Sequence, residues 1–297
     1  MNRANANLLL LTAGAIWGGG FIAQATAMQN IGPVFFTGLR FAAAALTVLP
    51  LAIIEARRAG LPLFPAPRRS GRYVILGSLL FLSLAAQQIG LLTTTVTNSG
   101  FLTGLYVIIT PMIGIAVWRI WPHPVIWPAA ILSLGGIYLL SGGNLTALTV
   151  GDWLTVFCAF AWACHVQYLG RVVGDDRPFR LACAQFAVCA VLGILIAPFV
   201  ETISLSMIPP SLGEILFAGI ISGGIAFTIQ VVAQRYTTAP QAAIFLSSEM
   251  LFAALFGAWL LGERIGPTGY AGCALIFLAM LTVEIVPMFR RKAGEPV

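Results

Sequence analysis

The chain repeats itself, and each copy carries an odd number of apolar segments. Trp17 is matched by Trp162, Pro33 by Pro178 and Phe41 by Phe186, all at an offset of 145, and Gln87 is matched by Gln230 at an offset of 143. Five apolar segments precede residue 143 and five follow it. Each is close to the roughly 20 residues a helix needs to cross a bilayer. A unit of five spans ends on the opposite side of the membrane from where it began, so its copy enters upside down. Inverted repeats of this kind put a solute site near the bilayer midplane, between halves that move against each other. The expected architecture is an all-α membrane protein of ten transmembrane helices in two inverted five-helix repeats, residues 1–143 and 144–297.

Composition agrees with that count. Of 297 residues, 59% are hydrophobic and 9% charged, against roughly 25% charged in a soluble domain. Ten spans use about 200 residues and leave only short connections. The net charge of +6 does not indicate nucleic acid, because the basic residues stand at the ends of apolar segments and form no docking stripe. Cys158, Cys164, Cys183, Cys189 and Cys273 all fall inside apolar segments without metal or disulfide spacing and read as small packing residues. Arg3, the apolar run from Leu8 and Ala23-Gln24-Ala25 imitate a cleaved signal peptide. The segment is expected to be retained, because it holds Trp17 and has an internal counterpart around Trp162.

The expected spans are 8–28, 33–54, 73–92, 97–118, 124–142, 152–170, 179–200, 213–233, 239–261 and 268–288. Helices are required, because open strands cannot satisfy their backbone groups in lipid. Asn30 to Pro33, the loop from Arg57 to Arg72, Gly142-Gly143-Asn144 and Pro209-Pro210 provide breaks. With this division, 14 of the 16 basic residues fall on one side, Arg264 falls on the other, and Arg40 lies within a span. Basic residues stay cytoplasmic, so both termini are expected inside, in the inner membrane. Glycines such as Gly14, Gly18, Gly219 and Gly223 allow close helix approach. Pro111, Pro128 and Pro198 are expected inside spans, where they kink helices.

Polar residues are costly at mid-membrane and mark cavities or partners. Arg40 lies about 10 Å into the second span and can hold a substrate carboxylate, pair with Glu249 or reach headgroups. Glu249, mid-way along the ninth span, can meet an ammonium group, carry a proton or serve as a structural partner. Glu284, near the end of the tenth, reads as structural. Ser83 and Gln87 share one face of the third span, Ser222, Gln230 and Gln234 one face of the eighth, Asn98, Tyr106 and Thr110 one face of the fourth, and Gln241 and Glu249 one face of the ninth. Turned inward, these faces line one cavity; turned elsewhere, they make hydrogen bonds between helices. Trp17 and Trp162 lie about ten residues into the first and sixth spans and supply aromatic walls. His165 reads as a packing residue before a proton relay. No P-loop lysine, HExxH or nucleophile–base pair is present.

Ala15-Ile16-Trp17-Gly18, Leu39-Arg40-Phe41, Ser99-Gly100-Phe101-Leu102-Thr103 to Pro111, Ala161-Trp162-Ala163, Ser248-Glu249 and Leu261-Gly262-Glu263-Arg264 together resemble the drug/metabolite transporter superfamily in its two-EamA-domain form. The resemblance covers nearly the whole chain. It implies transport of amino acids, other small metabolites or organic cations, with bacterial amino-acid exporters of the YddG type as the nearest expected members. Met250 follows Glu249 where the family commonly has Glu-Pro, and Gln185 stands opposite Arg40 in the repeat. The expected function is export of small metabolites, foremost amino acids, by alternating access. The expected site is Trp17, Gln87, Asn98, Tyr106, Trp162, Gln230 and Glu249, with Arg40 as charge partner. No cofactor or metal is expected. The expected partners are the small-molecule substrate and the lipid bilayer, with no nucleic acid and the chain as a monomer. Efflux of organic cations is the alternative within transport, and a non-transporting membrane scaffold or intramembrane enzyme the alternative outside it.

Overall fold

The structure is a computed structural model, described over residues 1–63, 67–94, 96–140, 149–260 and 266–292, with the backbone alone at 67–69, 96–97, 257, 260 and 287–292. The junction at Gly142-Gly143-Asn144, the Leu261 to Arg264 motif and the side chains of Arg68, Arg69, Arg290, Arg291 and Lys292 lie outside the described residues.

All ten expected segments are helical. In order they are Arg3–Ala27, Pro33–Arg58, Pro67–Gly90, Val96–Gly104 with Tyr106–Trp118, Ile126–Leu140, Val150–Val172, Pro178–Val200, Leu212 to Gln234, Ala239–Leu246 with Ser248–Leu260, and Pro267–Lys292. Among the described residues, nine are long and apolar enough to cross a membrane, and Ile126–Leu140 is a shorter apolar helix. The first span begins five residues before its expected start. Asn2 explains this, because its side chain accepts from the Asn5 amide and caps the helix ahead of the apolar run. Pro33 and Pro178 each open a span at the first turn, where the missing N–H costs nothing. Thr149 and Asp152 form a reciprocal capping box at the sixth. Pro128 lies in the first turn of its helix, so it does not act as an internal kink, whereas Pro50 is internal to the second span.

Three departures from regular helix were not expected. The fourth span is interrupted at Leu105 and the ninth at Ser247, within one residue of equivalent positions in the two repeats. The eighth span is a π-helix over Phe217–Ala226, through Gly219, Gly223 and Gly224. Wide turns of this kind recur at functional sites.

The helix packing has a pseudo-two-fold pattern. The second span packs on the seventh and the fifth on the tenth, so these pairs straddle the axis. The third packs on the sixth as the eighth packs on the first, and the sixth packs on the fourth as the first packs on the ninth. Close contacts use glycine. Gly38 meets Gly193 between the second and seventh spans, and Gly136 meets Gly272 between the fifth and tenth.

The second and seventh spans also cap each other. Glu201, just past the seventh span, accepts from the Phe35 amide at the start of the second (2.5 Å). Glu55, near the end of the second, accepts from the Arg180 amide at the start of the seventh (2.9 Å). Gly32 leaves the room that the Glu201 carboxylate fills. Burial pushes the Glu201 carboxyl up from its ordinary value, while the Phe35 and Val34 amides pull it back. Glu201→Ala should cost about 1 kcal/mol, as for a lost N-cap, read as a lower thermal midpoint in detergent, while Glu201→Gln should retain most of the contact. An unchanged midpoint for the alanine variant would mean that the amides are satisfied without Glu201.

Candidate functional site

The two aromatic pairs matched by the repeat meet on the pseudo-axis. Trp17 and Trp162 pack edge to face with ring centroids 5.7 Å apart, and Phe41 and Phe186 lie at 5.7 Å. Phe227 of the eighth span fills the middle, 4.5 Å from Trp17, 5.7 Å from Trp162 and 5.6 Å from Phe41. Offset and edge-on rings of this kind are the preferred aromatic geometries. The Trp17 indole N–H donates to the Ser222 carbonyl at 3.1 Å, inside the π-helical stretch.

Against this layer lies a chamber of about 40 Å³, lined by Trp17, Phe21, Gln24, Arg40, Ser83, Leu84, Gln87, Thr103, Cys158, Trp162, Ser222, Phe227 and Glu249. That volume holds a few water molecules. Gln24 and Gln87 lie three residues from the ends of their spans on the arginine-poor side, roughly 5 Å in, whereas Trp162 and Glu249 lie eleven or twelve residues in, roughly 17 Å. The chamber therefore runs from mid-depth toward the arginine-poor side.

Two ionisable side chains face it, one basic and one acidic. Arg40 is 3% exposed. Its Nη1 donates to Gln24 Oε1 at 2.7 Å, and its guanidinium lies over the rings of Phe36 and Phe41 at 5.5 and 5.2 Å. Its Nε and Nη2 are buried without a partner among the described residues. Glu249 is 8% exposed and makes no hydrogen bond or ion pair to a described residue; the ion pairs found there are Arg3–Glu284 and Arg180–Asp176. Arg40 and Glu249 share a chamber without pairing. Gln87 Nε2 donates to Thr103 Oγ1 at 3.0 Å.

Of the sequence-predicted residues, the chamber brings together Trp17, Gln87, Trp162, Glu249 and Arg40. Asn98, Tyr106 and Gln230 are not on its wall. Asn98 is half-buried at the outer start of the fourth span. Tyr106 is buried beside the interruption at Leu105, edge-on to Trp162 at 6.4 Å, with its hydroxyl unpartnered among the described residues. Gln230 donates to Gln234 Oε1 at 2.9 Å on the other side of the aromatic layer. His165 stacks on Trp162 and meets Gln185 Oε1 at 2.9 Å. Gln185 is the repeat counterpart of Arg40. Glu284 ties Asn7, Gln241 and Arg3 together near one end of the bundle. On that arginine-rich side a wider cavity of about 620 Å³ lies between the fourth, fifth, sixth and ninth spans, reached by Trp121, Gln167, Arg171 and Gln241.

Sequence reasoning missed Gln24, Thr103 and Phe227. Gln24 lies on the same helical face as Trp17, two turns on, and that spacing was the available signal.

The architecture is that of a multi-pass membrane protein built from two matched halves around a small chamber lined by residues of both. The chain belongs to the EamA-like transporter family, whose model matches residues 4–142 and again 149–284, and so to the drug/metabolite transporter superfamily. It is 30% identical over 288 residues to an uncharacterized transporter of Archaeoglobus fulgidus, covering 96% of this chain and 87% of that protein. It is 27% identical over 301 residues to the uncharacterized transporter YwfM of Bacillus subtilis, covering 97% and 96%. A solved crystal structure shares the fold with a TM-score of 0.80 at 16% identity, covering 98% of this chain and 99% of that one.

Proposed function

We propose that the chain exports small metabolites, foremost amino acids, across the inner membrane by alternating access, with the chamber between the repeats as its substrate site. The two repeats would be residues 1–143 and 144–297, both termini would be cytoplasmic, and the chain would act as a monomer without a cofactor. The observation that carries this reading is the mid-depth chamber itself, bounded by both halves and lined by one basic and one acidic side chain. A membrane protein does not keep such groups in its interior without a role for them. The wider cavity on the arginine-rich side would be the cytoplasmic approach, and the Trp17–Trp162–Phe227 layer the barrier between them. Arg40 on the same wall weighs against organic cations as the main substrate, since it would repel them.

Uptake of a panel of radiolabelled amino acids and one quaternary cation into proteoliposomes tests the reading. Saturable amino-acid flux is expected, with a roughly ten- to hundredfold loss in Glu249→Gln, the scale of a hydrogen bond to a charged group. Flux of the cation alone would replace amino acids with cationic drugs as the substrate, and no flux of any solute would remove the transport reading of the chamber.

A further inference from the structure

We infer that the groove between the end of the second span and the start of the seventh is a binding site for an anionic phospholipid, with its phosphate on Arg58 and Arg177 and an acyl chain along Leu51 and Ile54. The site lies on the arginine-rich side and does not depend on what the chamber carries.

A cavity of about 340 Å³ opens there, lined by Leu51, Ile54, Glu55 and Arg58 of the second span and by Arg177 and Phe179 at the start of the seventh. The four residues of the second span stand at i, i+3, i+4 and i+7, one face of a helix. Leu51 lies roughly 10 Å deeper than Arg58 along that helix, so the face runs from a charged end into the hydrocarbon layer. Leu51 and Ile54 are 48% and 47% exposed, and in a bilayer lipid chains cover them. Arg58 and Arg177 are exposed as well, and neither guanidinium has a hydrogen bond or ion pair to a described residue.

Charge chooses the headgroup. Two guanidiniums face one carboxylate, and that carboxylate already accepts from the Arg180 amide at 2.9 Å. A guanidinium receives phosphate oxygens through parallel hydrogen bonds, and a basic pocket at the ends of membrane helices attracts anionic headgroups. A zwitterionic headgroup would bring an ammonium group to stand among the arginines. The repeat shows that helix packing does not require this pair. At the offset of 145, Leu51 and Ile54 correspond to Ile196 and Phe199, but Arg58 corresponds to Ile203 and Arg177 to Gly32. The same two helices therefore meet at their other ends with the apolar stripe and a capping carboxylate, Glu201, but without the arginines.

The test is native mass spectrometry of the purified full-length protein, titrated with phosphatidylglycerol or with phosphatidylcholine of the same chains. The wild type should hold phosphatidylglycerol roughly tenfold or more tightly than phosphatidylcholine. Arg58→Gln and Arg177→Gln should each weaken phosphatidylglycerol about fivefold, and the double variant should hold the two lipids alike. Arg58→Lys with Arg177→Lys keeps both charges and should retain part of the preference, which covers the case of the glutamine variants failing to fold. Arg119→Gln removes an exposed arginine at the end of the fourth span, away from this cavity, and should bind as wild type. A double glutamine variant that keeps the wild-type preference would overturn the site. So would an equal loss in Arg119→Gln, which would assign the preference to the diffuse charge of that side. Displacement of the lipid by an equal concentration of glycerol phosphate would also overturn it, since the groove would then hold a free anion without using the chain.

Discussion

Arg180→Ala should destabilise the protein by about 3–5 kcal/mol, the cost of leaving a buried charge without its partner. Arg180 sits at the start of the seventh span and reaches three neighbours. Its Nη2 meets Asp176 Oδ1 at 2.6 Å and the Tyr73 hydroxyl at 3.0 Å, and its Nη1 donates to the Pro62 carbonyl at 2.8 Å. Both charged side chains are almost fully buried, at 9% and 3% exposure. Without the guanidinium, Asp176 keeps only Tyr73 and the Arg177 amide, and the loop after the second span loses its tie to the seventh. The measurement is thermal unfolding in detergent, followed by tryptophan fluorescence. Arg180→Met with Asp176→Leu should recover more than half of the loss, because an apolar pair leaves no orphaned charge. A single variant as stable as the wild type would mean that water or lipid headgroups replace the guanidinium.

The second large effect is expected where two helix backbones touch. A Cβ on Gly38 would stand 2.7 Å from the Ile194 amide nitrogen and 2.9 Å from the Gly193 carbonyl carbon; one on Gly193 would stand 2.5 Å from the Gly38 Cα. The obstacles are backbone atoms, so no side chain can move aside. Gly38→Ala should cost about 1–3 kcal/mol, the usual range for overpacking. Gly38→Leu should yield no monodisperse protein, because the second and seventh spans could not close at their crossing. Gly135→Ala is the control, since nothing lies within 4 Å of the new methyl, and it should behave as wild type. Size-exclusion profiles of the three variants decide the matter. A Gly38→Leu variant that elutes and melts like wild type would mean that the two helices separate without cost.

Hydropathy made the ten helices legible, because a membrane span needs no tertiary contact to declare itself. The repeat gave more. Trp17 with Trp162, and Phe41 with Phe186, were matched by spacing and prove to touch each other. The same symmetry does not place Gln87 and Gln230 together. An axis in the membrane plane carries the outer end of the third span to the inner end of the eighth, and the chamber is displaced toward the outer end, so it takes one of the pair. Arg40 and Gln185 divide in the same way, one on the chamber and one against His165. Gln24 escaped notice because a polar residue near a span's end looks like an interface residue. The interruptions at Leu105 and Ser247 escaped because both residues keep right-handed helical angles, and neither is a proline or a glycine. The Gly219 to Gly224 run suggested close packing, but not the wider turn of a π-helix.

The crossed carboxylates of Glu55 and Glu201 bear on how the chain is made. Phe35 leaves the ribosome 166 residues ahead of the Glu201 that serves it, and Glu55 waits 125 residues for the Arg180 amide. The first five helices can enter the bilayer while the second five are still being translated, but their second helix cannot take its final form until its counterpart arrives. Insertion and assembly are thus separated in time. A lone copy of either half would need another copy of opposite orientation before its exposed helix start found a partner.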